Sequence, residues 1–131
     1  MKTLAVALTA LVALERLGFL GLEIFAWTLP LGQATFLTNP DFAKATAALA
    51  ANHGLYNGFL AADLGFALGR GDVALRLFFL GCVVVAGLFG AATAFIDILF
   101  VPALPAALAF AATLAAGKRA APGWQAERPV P

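Results

Sequence analysis

The chain has 131 residues, of which 63% are hydrophobic and only 11% are charged, and its formal net charge is +1. Charged residues make up about a quarter of an ordinary soluble domain, so this composition excludes a typical soluble core and indicates one membrane domain. The near-neutral charge argues against a nucleic-acid partner, because no basic cluster is interleaved with aromatic side chains. The single cysteine, Cys82, excludes an internal disulfide.

The first predicted element is an apolar helix over residues 3–29. It begins like a secretory signal peptide, but the apolar pattern resumes beyond Arg16 and no polar mature domain follows, so we expect an uncleaved membrane span. Trp27 suits the membrane–water interface, and Pro30 and Gly32 are expected to stop the helix in a short connection.

Three ionisable residues, Glu15, Arg16 and Glu23, lie inside this first span. A charged side chain in the hydrocarbon layer costs about 2.5–3.5 kcal/mol on insertion scales, and such residues usually face protein partners or a water-filled cavity. The pattern therefore predicts a membrane protein with a polar interior.

The second span is predicted over residues 46–69, within a helix that begins at Pro40. Asn39 is the expected N-cap, Pro40 suits the first helical position, and Asp41 lies near the positive end of the helix dipole. A helix from Pro40 to Gly69 is about 45 Å long at 1.5 Å per residue. A bilayer core is about 30 Å thick, so we expect the first two turns to protrude from it.

Two further spans are predicted over residues 73–95 and 98–116, after a turn at 69–72 and a short connection at Asp97. The fold class is thus an all-α, four-helix integral membrane bundle with short loops. Residues 117–131 have no apolar period and are predicted to form a mobile cytoplasmic tail.

Basic residues predict how this bundle is oriented. Four spans place both termini on one side of the membrane, and that side carries six of the seven basic residues outside the first span: Lys2, Arg70, Arg76, Lys118, Arg119 and Arg128. The opposite side has only Lys44. The positive-inside rule therefore predicts a multi-pass protein of the inner membrane with both termini in the cytoplasm.

Polar residues in the first two spans are expected to meet inside the bundle. At 100° per residue, Arg16 and Glu23 share one helix face, and Asn52, Tyr56 and Asp63 share another. Because helical side chains lean toward their own N-terminus, Arg16 and Asp63 converge, and we predict an ion pair that closes the inner end of a polar chamber. The predicted ligand-binding residues are Glu15, Glu23, Asn52, His53, Tyr56 and Asn57.

Less specific roles remain open for the same residues. Polar contacts between membrane helices often serve only to stabilise helix association, by about 0.6 kcal/mol each. His53 is the only histidine and Cys82 the only cysteine, so we predict neither a metal site, unless two subunits share one, nor a cofactor. The predicted partners are membrane lipid, a small-molecule ligand and a second copy of the chain.

Several stretches resemble a family of small membrane proteins known only as domain-of-unknown-function family 1304. The matching stretches are 13–15, 22–27, 51–62, 78–93, 98–99 and 104–106, of which the run Ala51-Asn52-His53-Gly54-Leu55-Tyr56-Asn57-Gly58-Phe59 is the most specific. The resemblance implies a four-helix integral membrane protein and no established activity. It also implies that Arg16 and Asp63 replace a histidine and a small residue usual in the family, and these opposite charges agree with the predicted ion pair.

Three functions fit these observations, and no catalytic motif selects an enzyme among them. The first is a membrane module whose polar chamber binds a small or lipidic ligand, with or without a reaction on it. The second is a proton-coupled small-solute transporter, which the charge asymmetry would require to work as a parallel dimer. The third is an accessory subunit of another membrane protein.

Overall fold

The computed structural model describes residues 2–93 and 100–118, and in these ranges the chain is helical with no β-strand. The predicted all-α class is therefore confirmed. The helices are α1 Lys2–Gly21, continued by a π-helical segment Leu22–Ala26, then α2 Pro30–Thr35, α3 Pro40–Gly69, α4 Val73–Thr93 and α5 Ala103–Lys118. Asp97, with the predicted end of the third span and start of the fourth, and the tail from 119 onward lie outside the described residues.

Local hydrogen bonds form both ends of α3, where the sequence predicts an N-cap at Asn39 and a turn at 69–72. Asn39 Oδ1 accepts a hydrogen bond from the backbone N of Phe42 at 2.9 Å, and Pro40 occupies the first turn. At the other end Gly71 has a φ of 65°, and the backbone N of Asp72 donates to the Ala67 carbonyl at 3.0 Å. This is a Schellman ending, in which glycine is the preferred residue at the left-handed position.

The short helix α2 is not predicted by the sequence, which indicates only a connection there. It folds back against the π-helical segment so closely that a Cβ on Gly32 would overlap the carbonyl oxygen of Ala26. It also ends in a Schellman hydrogen bond, from Thr38 N to Gln33 O at 3.0 Å. Here the left-handed residue is Leu37, with a φ of 53°.

The longer helices pack side by side, α1 along α3 and α5, and α4 along α5 and α3. Their shared core contains Val12, Ala13, Leu64, Leu80, Val83, Ala106 and Ala109. Two glycines allow close helix contacts: a Cβ on Gly54 would lie 3.0 Å from Glu23 Cβ, and one on Gly87 would lie 2.7 Å from Ala103 Cβ. Small residues thus bring α3 against the π-helical segment and α4 against α5.

Two stretches of the described chain are long and apolar enough to cross a membrane, Lys2–Ala26 and Val73–Thr93, with mean hydropathies of 1.8 and 2.3. Helix α3 is longer but is not among them, and the apolar stretch Ala103–Gly117 of α5 is shorter. Many large apolar side chains point outward, among them Phe25, Leu49, Phe78 and Phe89. Such a surface is typical of a protein that meets lipid or another apolar partner.

Candidate functional site

A buried carboxylate, Glu23, stands where α1 becomes π-helical, and its side chain is only 4% exposed. Its Oε2 accepts a hydrogen bond from Asn57 Nδ2 at 2.8 Å, and its Oε1 lies 2.7 Å from His53 Nδ1. Both carboxylate oxygens therefore have a partner on α3. Single-turn π segments occur frequently at functional sites, because the extra residue redirects a side chain.

A buried guanidinium, Arg16, lies two turns before Glu23 and is only 6% exposed. Its Nη1 donates to Asn57 Oδ1 at 3.0 Å, and its Cζ lies 5.4 Å from the centre of the Phe19 ring. Asn57 thus bridges the two charged groups: its carbonyl oxygen accepts from the cation and its amide nitrogen donates to the anion. This arrangement uses the donor and the acceptor of one amide in the only orientation that satisfies both neighbours.

Most of the hydrogen-bonding capacity of Arg16 is unused. Its Nε and Nη2 are buried and have no hydrogen-bond partner in the described part of the chain. A buried donor without an acceptor costs about 1–3 kcal/mol, and more when it carries charge. The described residues therefore leave two donors of a buried charged group without an acceptor.

Arg16 and its partners form one wall of a cavity of about 420 Å³. The polar wall consists of Arg16, Glu23, His53 and Asn57. The described part of the facing wall is apolar and comes from the end of α4 and the approach to α5: Ala86, Gly87, Gly90, Val101 and Pro102. This volume lies within the range of about 300–1,000 Å³ that is usual for small-molecule sites.

The rim of the cavity comes from the chain around the end of α2, where Thr35, Phe36 and Leu37 line it. The Phe36 ring packs against Trp27 and Phe19, with ring centres 4.9 and 6.3 Å apart. Trp27 is in turn fixed by a hydrogen bond from its Nε1 to Thr46 Oγ1 at 3.1 Å. An aromatic cluster thus holds the rim against α1 and α3.

Of the six residues predicted to bind a ligand, Glu23, His53 and Asn57 come together at this cavity. Asn52 and Tyr56 are exposed and do not line it. Glu15 is half-buried and also lies outside it, although its Oε2 is buried without a hydrogen-bond partner in the described chain. Ligand binding by any of these residues stays a prediction.

The structure does not bring Arg16 and Asp63 together, and this corrects the predicted ion pair. Arg16 donates to Asn57 instead, and Asp63 is half-buried with no ion pair to it. The reason is the rotation of α3: at 100° per residue, Asp63 lies about 120° around the helix from Asn57. The face expected to point inward, with Asn52 and Tyr56, points outward.

A sequence signal for the correct rotation does exist. Five buried residues of α3 follow one another at spacings of four, three, four and three, namely Ala50, Gly54, Asn57, Ala61 and Leu64. Three of the five, Ala50, Gly54 and Ala61, are small. Small residues at this spacing mark the contact face of membrane helices. The rim residues Phe36 and Leu37 have no comparable signal, because α2 reaches the cavity only through tertiary packing.

These features define a class: a small all-α protein with two helices apolar enough to cross a membrane and a charged cavity between helices. A family model described as "Protein of unknown function (DUF1304)" matches residues 10–114, and the chain belongs to this family. The resemblance seen in the sequence is thereby confirmed. No curated protein and no solved structure shows significant similarity to the chain.

Proposed function

We propose that the protein is an integral membrane bundle in which α1, α3, α4 and α5 each cross the bilayer, with both termini in the cytoplasm. The apolar stretches in α1 and α4, the outward-facing large apolar side chains and the uneven distribution of basic residues support this. Cys82 is the only cysteine, which makes a labelling test simple. In a Cys82→Ala background, an impermeant maleimide added outside should label Lys44→Cys and not Arg70→Cys; the reverse pattern would overturn the orientation.

We further propose that the cavity binds an amphiphilic ligand, small or lipidic, through Arg16. The observation that carries this proposal is a buried guanidinium on the wall of a cavity of about 420 Å³, whose Nε and Nη2 have no partner among the described residues. Two adjacent donors favour an acceptor head group such as a carboxylate, because guanidinium binds it in a bidentate fashion. The apolar wall from α4 and the approach to α5 favours a hydrocarbon body.

The neighbouring residues have a positioning role in this proposal. Both oxygens of Glu23 are already engaged, by Asn57 and His53, so Glu23 offers the ligand little free capacity. Asn57 holds the Arg16 side chain through Nη1, and this contact leaves Nε and Nη2 without an acceptor among the described residues. The site thus selects for a group that accepts hydrogen bonds.

The test uses Trp27, which packs on the rim residue Phe36 and reports on the cavity. In a Trp124→Phe background, dibrominated stearate should quench Trp27 fluorescence saturably, because bromine quenches nearby indoles, whereas the dibrominated hydrocarbon of equal length should not. Arg16→Met should abolish saturation, and Tyr56→Phe, outside the cavity, should leave it unchanged. Equal quenching by both probes, or by wild type and Arg16→Met, would overturn the proposal.

Proton-coupled transport by a parallel dimer is a second candidate, and one contact favours it. His53 is 71% exposed at its side chain yet lies 2.7 Å from the buried carboxylate of Glu23, so the pair connects the surface to the interior through one shared hydrogen. Substrate-dependent proton release from purified protein, lost in Glu23→Gln, would favour transport. Ligand binding without ion movement in proteoliposomes would favour binding alone.

A further inference from the structure

A second pocket lies at the opposite end of α1, α4 and α5 from the ligand cavity. Its volume is about 240 Å³, and its walls come from the starts of α1 and α4 and the end of α5. Two of its lining side chains are polar and buried: Arg76 is 8% exposed and Thr113 is 1% exposed. The two pockets share none of their described lining residues.

Both buried side chains have unmet hydrogen-bonding capacity. Arg76 Nε and Thr113 Oγ1 are buried without a partner in the described part of the chain. The acid nearest to Arg76 in sequence, Asp72, has another role, because its Oδ1 accepts from the backbone N of Leu75 at 3.0 Å at the start of α4. Arg76 makes no ion pair within the described ranges.

The charged residues described in the pocket lining are basic, although the acid Asp72 caps α4 beside it. Lys2 lines it together with Arg76, and no acidic side chain is among its described lining residues. The N-termini of α1 and α4 lie here together with the C-terminus of α5, so the helix dipoles contribute two positive ends and one negative end. Ala5, Val6 and Val73 make the remaining wall apolar.

We propose that this pocket binds an anionic phosphate group, either the head group of an acidic phospholipid or the free anion. Guanidinium, ammonium and hydroxyl donors at a helix N-terminus are the groups that recognise phosphate in proteins. Basic pockets between membrane helices bind acidic head groups in this way, and the apolar wall suits the adjoining glycerol and acyl carbons. This inference does not depend on ligand binding beside Arg16.

The experiment is native mass spectrometry of the full chain in micelles doped with phosphatidylglycerol or with zwitterionic phosphatidylcholine. We expect preferential retention of phosphatidylglycerol, reduced about five-fold in Arg76→Gln, since one basic residue near a membrane surface contributes about that factor. The matched control is Arg70→Gln, which removes the same charge from an exposed residue outside the pocket and should change retention little.

A second variant keeps the proposal testable if Arg76→Gln fails to fold. Thr113→Val removes the buried, unpartnered hydroxyl at nearly constant volume, so it should lower phosphatidylglycerol retention without lowering thermal stability. Wild-type retention in this variant would contradict the proposal. So would equal retention of both lipids, or equal losses in Arg76→Gln and Arg70→Gln.

Inorganic phosphate at millimolar concentration distinguishes the two sources of the group. If it displaces bound phosphatidylglycerol from wild type, the pocket recognises phosphate itself and the free anion is a sufficient ligand. If it does not, the glycerol and acyl carbons contribute and the lipid is the ligand. Either result supports the phosphate site, provided that the Arg76 and Thr113 variants lose binding.

Discussion

The chain buries a guanidinium near each end of the α1–α4–α5 assembly, and the two differ in their surroundings. Arg16 joins a chain of hydrogen bonds through Asn57 to Glu23 and His53, so both signs of charge meet there. Arg76 lies beside Lys2 and Thr113 with no described acid in its pocket. A mixed network is held together by its own members, whereas a pocket whose described charged lining is only basic would be completed by an anion from outside. Removing a polar group should therefore lower the stability of the protein at the Arg16 end, and leave it unchanged or raise it at the Arg76 end.

The largest effect is expected for Asn57→Leu, which removes the bridge between Arg16 and Glu23. Because two buried charged groups lose a partner at once, we expect the free energy of unfolding in mixed micelles to fall by about 3–5 kcal/mol. The control Asn52→Leu changes an exposed residue of the same helix and should shift it by less than about 0.5 kcal/mol. Equal effects would show that the network is not structural.

Two glycines of α3 should respond with opposite signs. Gly54→Ala places a Cβ 3.0 Å from Glu23 Cβ and 3.3 Å from the Leu20 carbonyl oxygen, so we expect a loss of about 1–3 kcal/mol from overpacking. A Cβ on Gly65 meets nothing within 4 Å, so Gly65→Ala should stabilise the helix by about 0.5–1 kcal/mol. Circular dichroism melts of the two variants provide the measurement.

The two arginines can be compared directly by replacing each with methionine in lipid-free detergent. Arg16→Met leaves Asn57 Oδ1 without its donor and should cost about 1–2 kcal/mol. Arg76→Met removes a buried charge that has no described partner, so its effect should be neutral or stabilising, since the desolvation cost disappears with it. Adding phosphatidylglycerol should then stabilise the wild type and not Arg76→Met. A large loss in Arg76→Met without lipid would refute the contrast.

The smallest effect concerns the helix endings. Leu37 holds at the end of α2 the left-handed conformation that Gly71 holds at the end of α3, with φ values of 53° and 65°. A residue with a Cβ pays about 1–2 kcal/mol there, so Leu37→Gly should raise stability by about 1 kcal/mol and Gly71→Ala should lower it by a similar amount. The measurement is chemical denaturation of both variants. A loss of stability in Leu37→Gly would show instead that Leu37 contributes packing at the cavity rim.

The residues of the candidate site were only partly accessible from the sequence. Glu23 stood out because a carboxylate inside an apolar helix needs a partner, and His53 and Asn57 are among the few polar residues of the neighbouring helix. The placement of Asn57 in the cavity, and not of Asn52, Tyr56 and Asp63, depends on a rotation of α3 by about 120°. Polar residues occur on both sides of α3, so their pattern alone does not determine which side meets α1.

The sequence analysis assigned no site to Arg76 or Thr113, although Arg76 contributed to the predicted orientation. They are 37 residues apart, and only the antiparallel packing of α4 and α5 brings both to one pocket. Nothing in either local sequence distinguishes a buried arginine from one that extends into the headgroup layer.

The ends of α3, the all-α class and family membership follow from the chain alone, because caps, prolines and apolar periods act over a few residues. Asn39 and Gly71 show this, since each makes its hydrogen bonds within its own turn. Side-chain partners across helices could be identified only in the folded molecule. The Asn57 bridge, the π-helical position of Glu23 and the contribution of α2 to the cavity rim each depend on close contact between helices. Small residues such as Gly54 allow that contact, because they leave room for the facing helix to approach closely.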